Sequence, residues 1–301
     1  VQPIYITYSI DISLYPSKQL WRKDEFYSLM APSSKRRVFL MQSPTNNLFA
    51  VDSKVGNTIW SIEPPIGQGG IRGLLANENT VFIITTLNVN AYKAETGELQ
   101  WSTKLGNGHV GIISQLDSDI LRIYYGNDIH EIDTETGEIL MSYPKDDTLW
   151  VLNNIVLKAR YPFGIDAFVK QTDEFLWRQE QSFFVEENLV PQNLNEDVIF
   201  VWQKPASNLI GGICALDLKT GEYIWCRIEN FNSVMAIDRQ SEYGYALRDD
   251  NMLLTINLQT GNTVDERNFF SKNLPPLAME SSPSIIVNNG NVIVSFIELT
   301  E

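Results

Sequence analysis

One short hairpin pattern recurs along the whole chain, and this repeat limits the possible folds more than any other feature. In its clearest form the pattern starts with Ala and has Gly at the seventh position and Trp at the eleventh. Three copies match at all of these positions: Ala50-Gly56-Trp60, Ala91-Gly97-Trp101 and Ala215-Gly221-Trp225. Gly adopts the positive φ of a tight hairpin turn without steric cost, and the apolar runs on both sides indicate two antiparallel strands.

Four further copies keep parts of the pattern. They are Glu131-Gly137-Met141, Ala167-Asp173-Trp177, Thr255-Gly261-Asp265 and Asp11-Ser17-Trp21. The Asp that replaces Gly in one copy is among the few other residues that tolerate positive φ. At the third position, Asp52, Asp133 and Asp217 are expected to accept hydrogen bonds from the backbone N–H groups of their own turns.

The seven copies end about 40 residues apart, which is the spacing of four-stranded propeller blades. Apolar runs such as Thr80–Thr86 and Asp197–Trp202 precede the hairpins and predict a further strand in each repeat. A shorter segment ahead of each run predicts the innermost strand. We therefore predict an all-β fold, a single seven-bladed β-propeller domain of four-stranded antiparallel blades over residues 1–301.

The two ends of the chain complement each other. The first hairpin, residues 5–21, has no two strands before it, whereas Ser281–Glu298 predicts two strands with no hairpin after them. Joined together, they make one blade with its inner strands from the C-terminus and its outer strands from the N-terminus. Closure of this kind removes open sheet edges, so we predict that the last blade is shared by both termini.

The pattern Ala-x-Asp-x-x-Thr-Gly-x-x-x-Trp resembles the repeat of the PQQ-like, or quinoprotein-type, β-propellers, and the resemblance extends over all seven copies. It implies that the residue at the eleventh position docks between adjacent blades. The residues in this role are Trp21, Trp60, Trp101, Met141, Trp177 and Trp225. WD-repeat propellers have a similar period, but this chain has no Trp-Asp dipeptide and a single Gly-His, at Gly108-His109.

The resemblance also raises the question of catalysis, because the family includes PQQ-dependent dehydrogenases. Those enzymes usually have eight blades, hold PQQ against a ring formed by adjacent cysteines, and use calcium ligands and an Asp base. Here Cys214 and Cys226 are not adjacent, and no motif matches the calcium ligands or the base. His109 and His130 are too few to form a metal site by themselves. We expect a non-enzymatic member, without cofactor or metal; a quinoprotein-type enzyme is the less favoured alternative.

The formal net charge of −14, from 23 basic and 37 acidic residues, is opposite to the basic footprint of a nucleic-acid binder. It also disfavours anionic membranes. No apolar run approaches the length of a transmembrane helix. We expect a monomer that binds no nucleic acid and does not insert into membranes. The chain begins at Val1, which leaves open a removed signal peptide or a larger flanking region, and an extracytoplasmic location is favoured.

Binding is the function that these observations favour, and we expect a platform for protein–protein interaction, as a scaffold or assembly factor. Binding residues concentrate in loops carried by a rigid scaffold. The candidates lie in or beside the loops that lead to the innermost strands: Phe26, Tyr27, Arg72, His109, Trp150, Glu187 and Phe231. Two alternatives remain open, namely that the aromatic residues fill the central channel and that the chain is the ligand-sensing domain of a receptor or kinase.

The two cysteines flank one copy of the hairpin. Cys214 directly precedes the first position and Cys226 directly follows the eleventh. If the first and eleventh residues face each other, the cysteines also face each other, with Cα atoms within disulfide range. A register shifted by one residue would place their side chains on opposite faces. The sequence leaves open both a disulfide and a pair of packed thiols.

Overall fold

The hairpin repeats form antiparallel sheets of a β-propeller in a computed structural model of the chain. The described residues are 2–11, 18–25, 27–33, 37–42, 45–64, 70–106, 110–116, 119–144, 148–152, 154–159, 164–179, 197–203, 211–231, 235–237, 242–248, 250, 252–268, 284–288 and 291–300. The chain divides into two compact units, Val1–Pro144 with Leu277–Glu301, and Lys145–Pro276.

The first unit contains four four-stranded sheets. Its strands up to Pro144 are β1 (Gln2–Asp11), β2 (Lys18–Lys23), β3 (Tyr27–Pro32), β4 (Arg37–Gln42), β5 (Leu48–Asp52), β6 (Thr58–Ile62), β7 (Ile71–Ala76), β8 (Thr80–Thr85), β9 (Asn88–Lys93), β10 (Leu99–Lys104), β11 (Val110–Leu116), β12 (Ile120–Tyr125), β13 (Asp128–Asp133) and β14 (Ile139–Pro144). From β3 onward, each group of four consecutive strands forms one sheet in chain order.

The second unit follows the same plan in three sheets. Its strands are β15 (Thr148–Leu152), β16 (Ile155–Ala159), β17 (Ile165–Val169), β18 (Phe175–Gln179), β19 (Val198–Gln203), β20 (Gly212–Asp217), β21 (Tyr223–Arg227), β22 (Ala236–Ile237), β23 (Tyr243–Leu247), β24 (Met252–Asn257) and β25 (Thr263–Asn268). Strands β15–β18 and β22–β25 form four-stranded sheets, and β19–β21 form a three-stranded sheet.

The predicted count of seven four-stranded blades is therefore wrong. The described residues form six four-stranded sheets, which confirms the four-stranded antiparallel blade as the repeating unit, and one sheet of three strands. In the three-stranded sheet β19 is the first strand, and residues 180–196, between β18 and β19, are outside the described residues.

The two ends of the chain share one sheet, as predicted. Strands β26 (Ser284–Asn288) and β27 (Asn291–Thr300) join the first two strands in the order β2-β1-β27-β26. Strand β1 pairs with β27 over its whole length, from Gln2↔Thr300 to Asp11↔Asn291. The long antiparallel pairing between residues far apart in sequence ties the N-terminal hairpin into the first unit.

The first hairpin corrects one detail of the predicted repeat. Trp21 pairs with Ser9, whereas Asp11 pairs with Lys18. Residues 12–17 connect β1 to β2, and this connection is longer than the other hairpin turns. The spacing of the other copies therefore predicts Asp11 as the partner of Trp21, and this prediction is wrong. Ser9 is small and buried, like the Ala residues at the first position of other copies.

The hairpin turns confirm the predicted roles of Gly and Asp. The turn residues Gly56, Gly97, Gly137, Gly221 and Gly261 have φ between 71° and 75°, and Asp173 has φ 54°. The carboxylates at the third position each accept two backbone N–H groups; Asp217 Oδ1, for example, lies 2.8 Å from the nitrogens of Lys219 and Thr220. In the fourth copy, hydrogen bonds from the backbone and side chain of Thr136, with a lesser one from Glu135, lower the pKa of Asp133, although burial opposes the shift.

Apolar side chains between neighbouring sheets form the core. All six residues of β8 are buried, because a middle strand is covered on both of its faces. In the first unit, Phe39 and Ala50 of one sheet pack with Ile83 of the next. In the second unit, Phe200 and Ile256 belong to one buried cluster. Burial of this kind stabilises by about 25 cal/mol per Å² of apolar surface.

Candidate functional site

Five Trp residues at the eleventh positions lie against the hairpin turn of the next sheet in the same unit. Each indole N–H donates a hydrogen bond to the carbonyl of the residue three places before the turn Gly or its equivalent. The Nε1–O distances are 2.9 Å for Trp21–Ser53, 3.1 Å for Trp60–Ala94, 3.2 Å for Trp101–Thr134, 2.8 Å for Trp177–Leu218 and 2.8 Å for Trp225–Leu258. The same contact thus joins successive sheets inside each unit.

The turn glycines are required by this contact as well as by their φ. A Cβ on Gly221 would lie 2.4 Å from Cε3 of Trp177, and a Cβ on Gly56 would lie 2.5 Å from Cγ of Trp21. Real Cβ atoms do not approach a ring so closely. A turn glycine without such a ring exists at Gly126, where a Cβ would meet nothing within 4 Å.

A second polar contact strengthens the same junctions. The side chain two residues after the eleventh position donates to the carbonyl of the turn Gly on the next sheet. The donor–acceptor distances are 2.5 Å for Thr103–Gly137, 3.1 Å for Gln179–Gly221 and 3.2 Å for Arg227–Gly261. These pairs satisfy backbone carbonyls that packing would otherwise leave without a partner.

The sheet β11–β14 departs from this pattern at three facing positions. In three other sheets Phe, Ala and Trp face one another across three strands, as in Phe82, Ala91 and Trp101. Here the corresponding residues are Arg122, Glu131 and Met141. Arg122 Nε lies 2.9 Å from Glu131 Oε1, and both side chains are buried. Met141 lacks an indole N–H and is 54% exposed, so it differs from the five Trp residues.

Tyr143 extends this buried ion pair. Its hydroxyl lies 3.2 Å from Glu131 Oε1. Burial and the negative charge of Glu131 raise the pKa of Tyr143 to about 12, although Arg122 opposes the shift. Tyr143 therefore stays protonated at neutral pH and donates to the carboxylate. The cluster is a structural one, because its charges are paired with each other.

The predicted interaction residues are not gathered into one surface. Phe26, His109 and Glu187 lie outside the described residues. Trp150 lies in β15, and its side chain is not among those described. Arg72 lies in β7 and is exposed.

For Tyr27 and Phe231 the expectation of an interaction surface is wrong, because both side chains are 0% exposed. Tyr27 donates its hydroxyl hydrogen to the Glu25 carboxylate, and burial together with Glu25 raises its pKa. Phe231 belongs to the buried cluster of the second unit. Both rings fill space between strands and are core residues.

Exposed apolar side chains occur in a different place, which the sequence interpretation missed. We call the strands that follow the hairpin turns the outer-edge strands: β2, β6, β10, β14, β18, β21 and β25. Among the described residues, the large apolar side chains that are exposed lie in these strands, directly after one of them (Ile228) or in the hairpin turn that precedes one of them (Val55). They are Val55, Ile59, Leu99, Ile139, Leu140, Met141, Phe175, Leu176, Ile224, Ile228 and Val264.

A signal for this surface was present in the sequence. In copies such as "NTIW" and "EYIW" the tenth position is apolar as well as the eleventh. Successive side chains of a strand point to opposite faces. Two adjacent apolar residues therefore predict that the outer-edge strand is apolar on the exposed side as well as on the docked side.

The outer-edge strand β18 combines apolar and basic groups. Phe175 and Leu176 are exposed, and the Phe175 ring packs edge-to-face on Phe168 with centroids 5.7 Å apart. Arg178 lies 5.6 Å from the Phe175 ring and forms two hydrogen bonds, of 2.8 and 2.9 Å, with Asp166. Exposed aromatic and Arg side chains held in one place are typical of the residues that dominate protein interfaces.

Cys214 and Cys226 form a disulfide between β20 and β21. They are directly paired in the hairpin register, with Cα atoms 4.1 Å apart, which confirms the predicted pairing. An open polar cleft of about 400 Å³ lies beside Cys226, between β21 and the turn that precedes β25. Its charged side chains, Arg227 and Glu229, pair with each other.

The two cysteines do not fit the ring of adjacent cysteines that the resemblance implies for PQQ-dependent dehydrogenases. The chain contains only two cysteines, and they are joined to each other across a hairpin, so a ring of adjacent cysteines cannot form. Within the described ranges, no group of three or more His, Cys, Asp or Glu residues is placed to hold a metal ion. The described part of the chain also has no helix long and apolar enough to cross a membrane.

These sheets and turns define a fold of the PQQ-like β-propeller type, and comparison with solved structures supports this class. BamB from Moraxella catarrhalis is 17% identical, over 93% of this chain and 86% of that one, with a TM-score of 0.50. The computationally designed Ika8 protein is 13% identical, over 91% of this chain and 97% of that one, with a TM-score of 0.60. A europium-containing methanol dehydrogenase is 10% identical, over 95% of this chain and 78% of that one, with a TM-score of 0.52. At these identities the likeness shows the fold alone. The sequence matches no known family and no curated protein.

Proposed function

We propose that this protein is a non-catalytic propeller that serves as a platform for protein–protein interaction and that it contacts its partners through the outer-edge strands. The observation that carries the proposal is the concentration of exposed apolar side chains on those strands. Exposed apolar patches bordered by polar groups mark interaction sites, and Met, Phe and Arg are enriched in interface cores. Met141, Phe175 and Arg178 provide these residue types.

The junctions between sheets suit such a platform. Each indole hydrogen bond and each turn glycine fixes one sheet against the next within a unit. A rigid surface loses little conformational freedom on binding, so more of the contact free energy appears as affinity. The similarity to BamB concerns the fold alone, and that fold is compatible with a platform.

We also propose that the chain has no PQQ-dependent activity, because its cysteines do not fit the cofactor. Titration with PQQ and calcium should give no saturable binding and no reduction of an electron-accepting dye. Saturable binding with dye reduction would refute this part of the proposal.

The same proposal includes a location and a state of association. The disulfide favours an oxidising, extracytoplasmic compartment. The acidic charge favours a soluble monomer that does not bind nucleic acid. We count the three-stranded sheet as the seventh blade, because Trp225 of its hairpin makes the same contact with the next sheet as the other Trp residues.

Site-specific photocrosslinking in the cell that naturally makes the chain tests the platform. A benzophenone amino acid would replace Phe175 or Leu140 on the outer-edge strands, or, as the control, Glu78 in the exposed turn between β7 and β8. We expect a discrete protein adduct at Phe175 and Leu140 and none at Glu78. Absence of adducts at both apolar positions, or identical adducts at Glu78, would contradict the proposal.

A further inference from the structure

The outer-edge strands differ in how well they are protected against pairing with another chain. A strand at the edge of a sheet presents unpaired N–H and C=O groups, and natural proteins protect such edges with charged side chains or Pro. Five of these strands carry charged residues: β2, β10, β18, β21 and β25. Strands β6 (Thr58–Ile62) and β14 (Ile139–Pro144) carry no charged residue, and the one Pro in them is Pro144, at the last position of β14.

Of these two, β14 is the more open to a partner. Strand β6 has Trp60, which is fixed on the next turn by its hydrogen bond to Ala94. Strand β14 instead exposes three consecutive apolar residues, with 41% of Ile139, 54% of Leu140 and 54% of Met141 accessible. In the described residues, β14 is the last strand of its sheet, and β13 is its one hydrogen-bonded neighbour.

Acidic side chains surround both ends of β14. Glu135 and Glu138 are exposed in the turn that precedes it, and Asp128 is exposed opposite Pro144 at the other end. Between residues 119 and 144 the one Lys or Arg is Arg122, which is buried against Glu131. Lys145 follows Pro144 directly and is itself followed by Asp146 and Asp147, so this end of the sequence has more acidic than basic residues. The edge is therefore an uncharged apolar strand between two negative regions, and it would attract a positive segment.

We infer that β14 is the docking edge for an extended segment of a partner protein, a segment with alternating apolar residues and with Lys or Arg at both ends. The segment adds to the sheet as a fifth strand. In this mode main-chain hydrogen bonds supply affinity and the alternating side chains supply specificity. The inference rests on the proposed function and names the class of partner.

Pro144 limits the length of the added strand. It has no N–H to donate, so main-chain pairing is confined to Ile139–Tyr143. Lys or Arg residues that flank a segment of this length come near Glu138 at one end and Asp128 at the other. The charges thus favour one placement of the segment along the strand.

A labelled synthetic peptide provides the direct test, with fluorescence anisotropy as the measurement. Its centre is Val-Thr-Ile-Thr-Val and two Lys residues flank each side. We expect binding that weakens at least about tenfold when the central Ile is replaced by Pro or the Lys residues by Glu. Raising the ionic strength to about 1 M should also weaken it, because the charges at the ends of β14 are exposed.

Two matched variants locate the binding. Leu140→Lys places a protecting charge in β14, and we expect it to weaken binding of the peptide by about tenfold or more. Leu99→Lys makes the same change at an exposed site (48%) on β10 and should leave affinity within about twofold. Unchanged far-UV circular dichroism and melting temperature would establish that both variants fold.

Several outcomes would overturn the inference: no binding to the wild type, equal binding of the Pro peptide, or equal effects of the two variants. A dimer in sedimentation velocity that Leu140→Lys abolishes would show that a second copy covers β14, which also overturns it. If the peptide test fails while adducts persist at Phe175, the platform proposal survives and this inference does not.

Discussion

Replacing Gly221 by Ala should destabilise the protein by about 2–5 kcal/mol, because two penalties apply at one residue. The φ of Gly221 is 72°, in the left-handed region, where an L-residue costs about 1–2 kcal/mol. In addition, the new Cβ would lie 2.4 Å from Cε3 of Trp177. Overpacking of this kind costs about 1–3 kcal/mol.

Two further variants separate the penalties. Trp177→Ala removes the ring and by itself should cost about 3–5 kcal/mol. In that background Gly221→Ala should cost only the conformational part, about 1–2 kcal/mol, which leaves a coupling of about 1–3 kcal/mol between the two sites. Gly126→Ala is the matched control, because its φ is 58° but a Cβ there meets nothing within 4 Å.

Urea unfolding followed by far-UV circular dichroism measures these differences through the midpoint and slope of the transition. The expected result is a large loss for Gly221→Ala in the wild-type background and a smaller loss without the ring. An equal loss in both backgrounds would refute the contact between the Trp177 ring and the turn.

Three other predictions concern stability. Removing Glu131 alone should cost about 3–5 kcal/mol. Arg122→Phe with Glu131→Ala introduces the facing pair that three other sheets have, and this double variant should be neutral or stabilising in denaturant melts; equal losses would contradict this. Replacing Cys214 and Cys226 by Ala should cost about 2–3 kcal/mol for a bridge of 12-residue separation, and a thiol count on unreduced denatured protein should find none. Folding lowers the pKa of Asp133, so its carboxylate stabilises the folded state above pH about 4, and this stabilisation is lost as the pH falls through the lower pKa of the folded state. Asp133→Asn should therefore make the melting temperature less dependent on pH in the acid range. An unchanged pH profile would contradict this.

The hairpins were predictable from the sequence because their requirements are local. The pattern has Asp at the third position, where it binds the backbone of its own turn, and Gly at the seventh, where φ is positive. Trp follows at the eleventh position, and these spacings can be read directly in the sequence. The alignment of the first copy was not predictable in the same way. Its longer connection moves the partner of Trp21 from Asp11 to Ser9, and spacing alone does not report the length of a loop.

The candidate site was less predictable, because exposure depends on how strands pack. Tyr27 and Phe231 stand beside predicted loops, as binding residues do, yet both rings are buried between strands. Leu140 is at the apolar tenth position, which does indicate exposure, whereas Phe175 lies two residues before Trp177 and only the assembled sheet shows that its side chain is exposed. The buried pair Arg122–Glu131 likewise became visible only when the strand register brought the two residues together.

Whether the outer-edge strands hold partner proteins is tested by comparing the partners that two variants retain when each is expressed in place of the natural chain. One variant carries Leu140→Lys and Phe175→Lys on the outer-edge strands, and the other carries Arg72→Glu on β7. Quantitative mass spectrometry of proteins co-purified with each variant gives the partners that are lost. We expect the outer-edge variant to lose a defined set of proteins that the wild type and the Arg72 variant both retain. Loss of that set with Arg72→Glu and its retention by the outer-edge variant would contradict it.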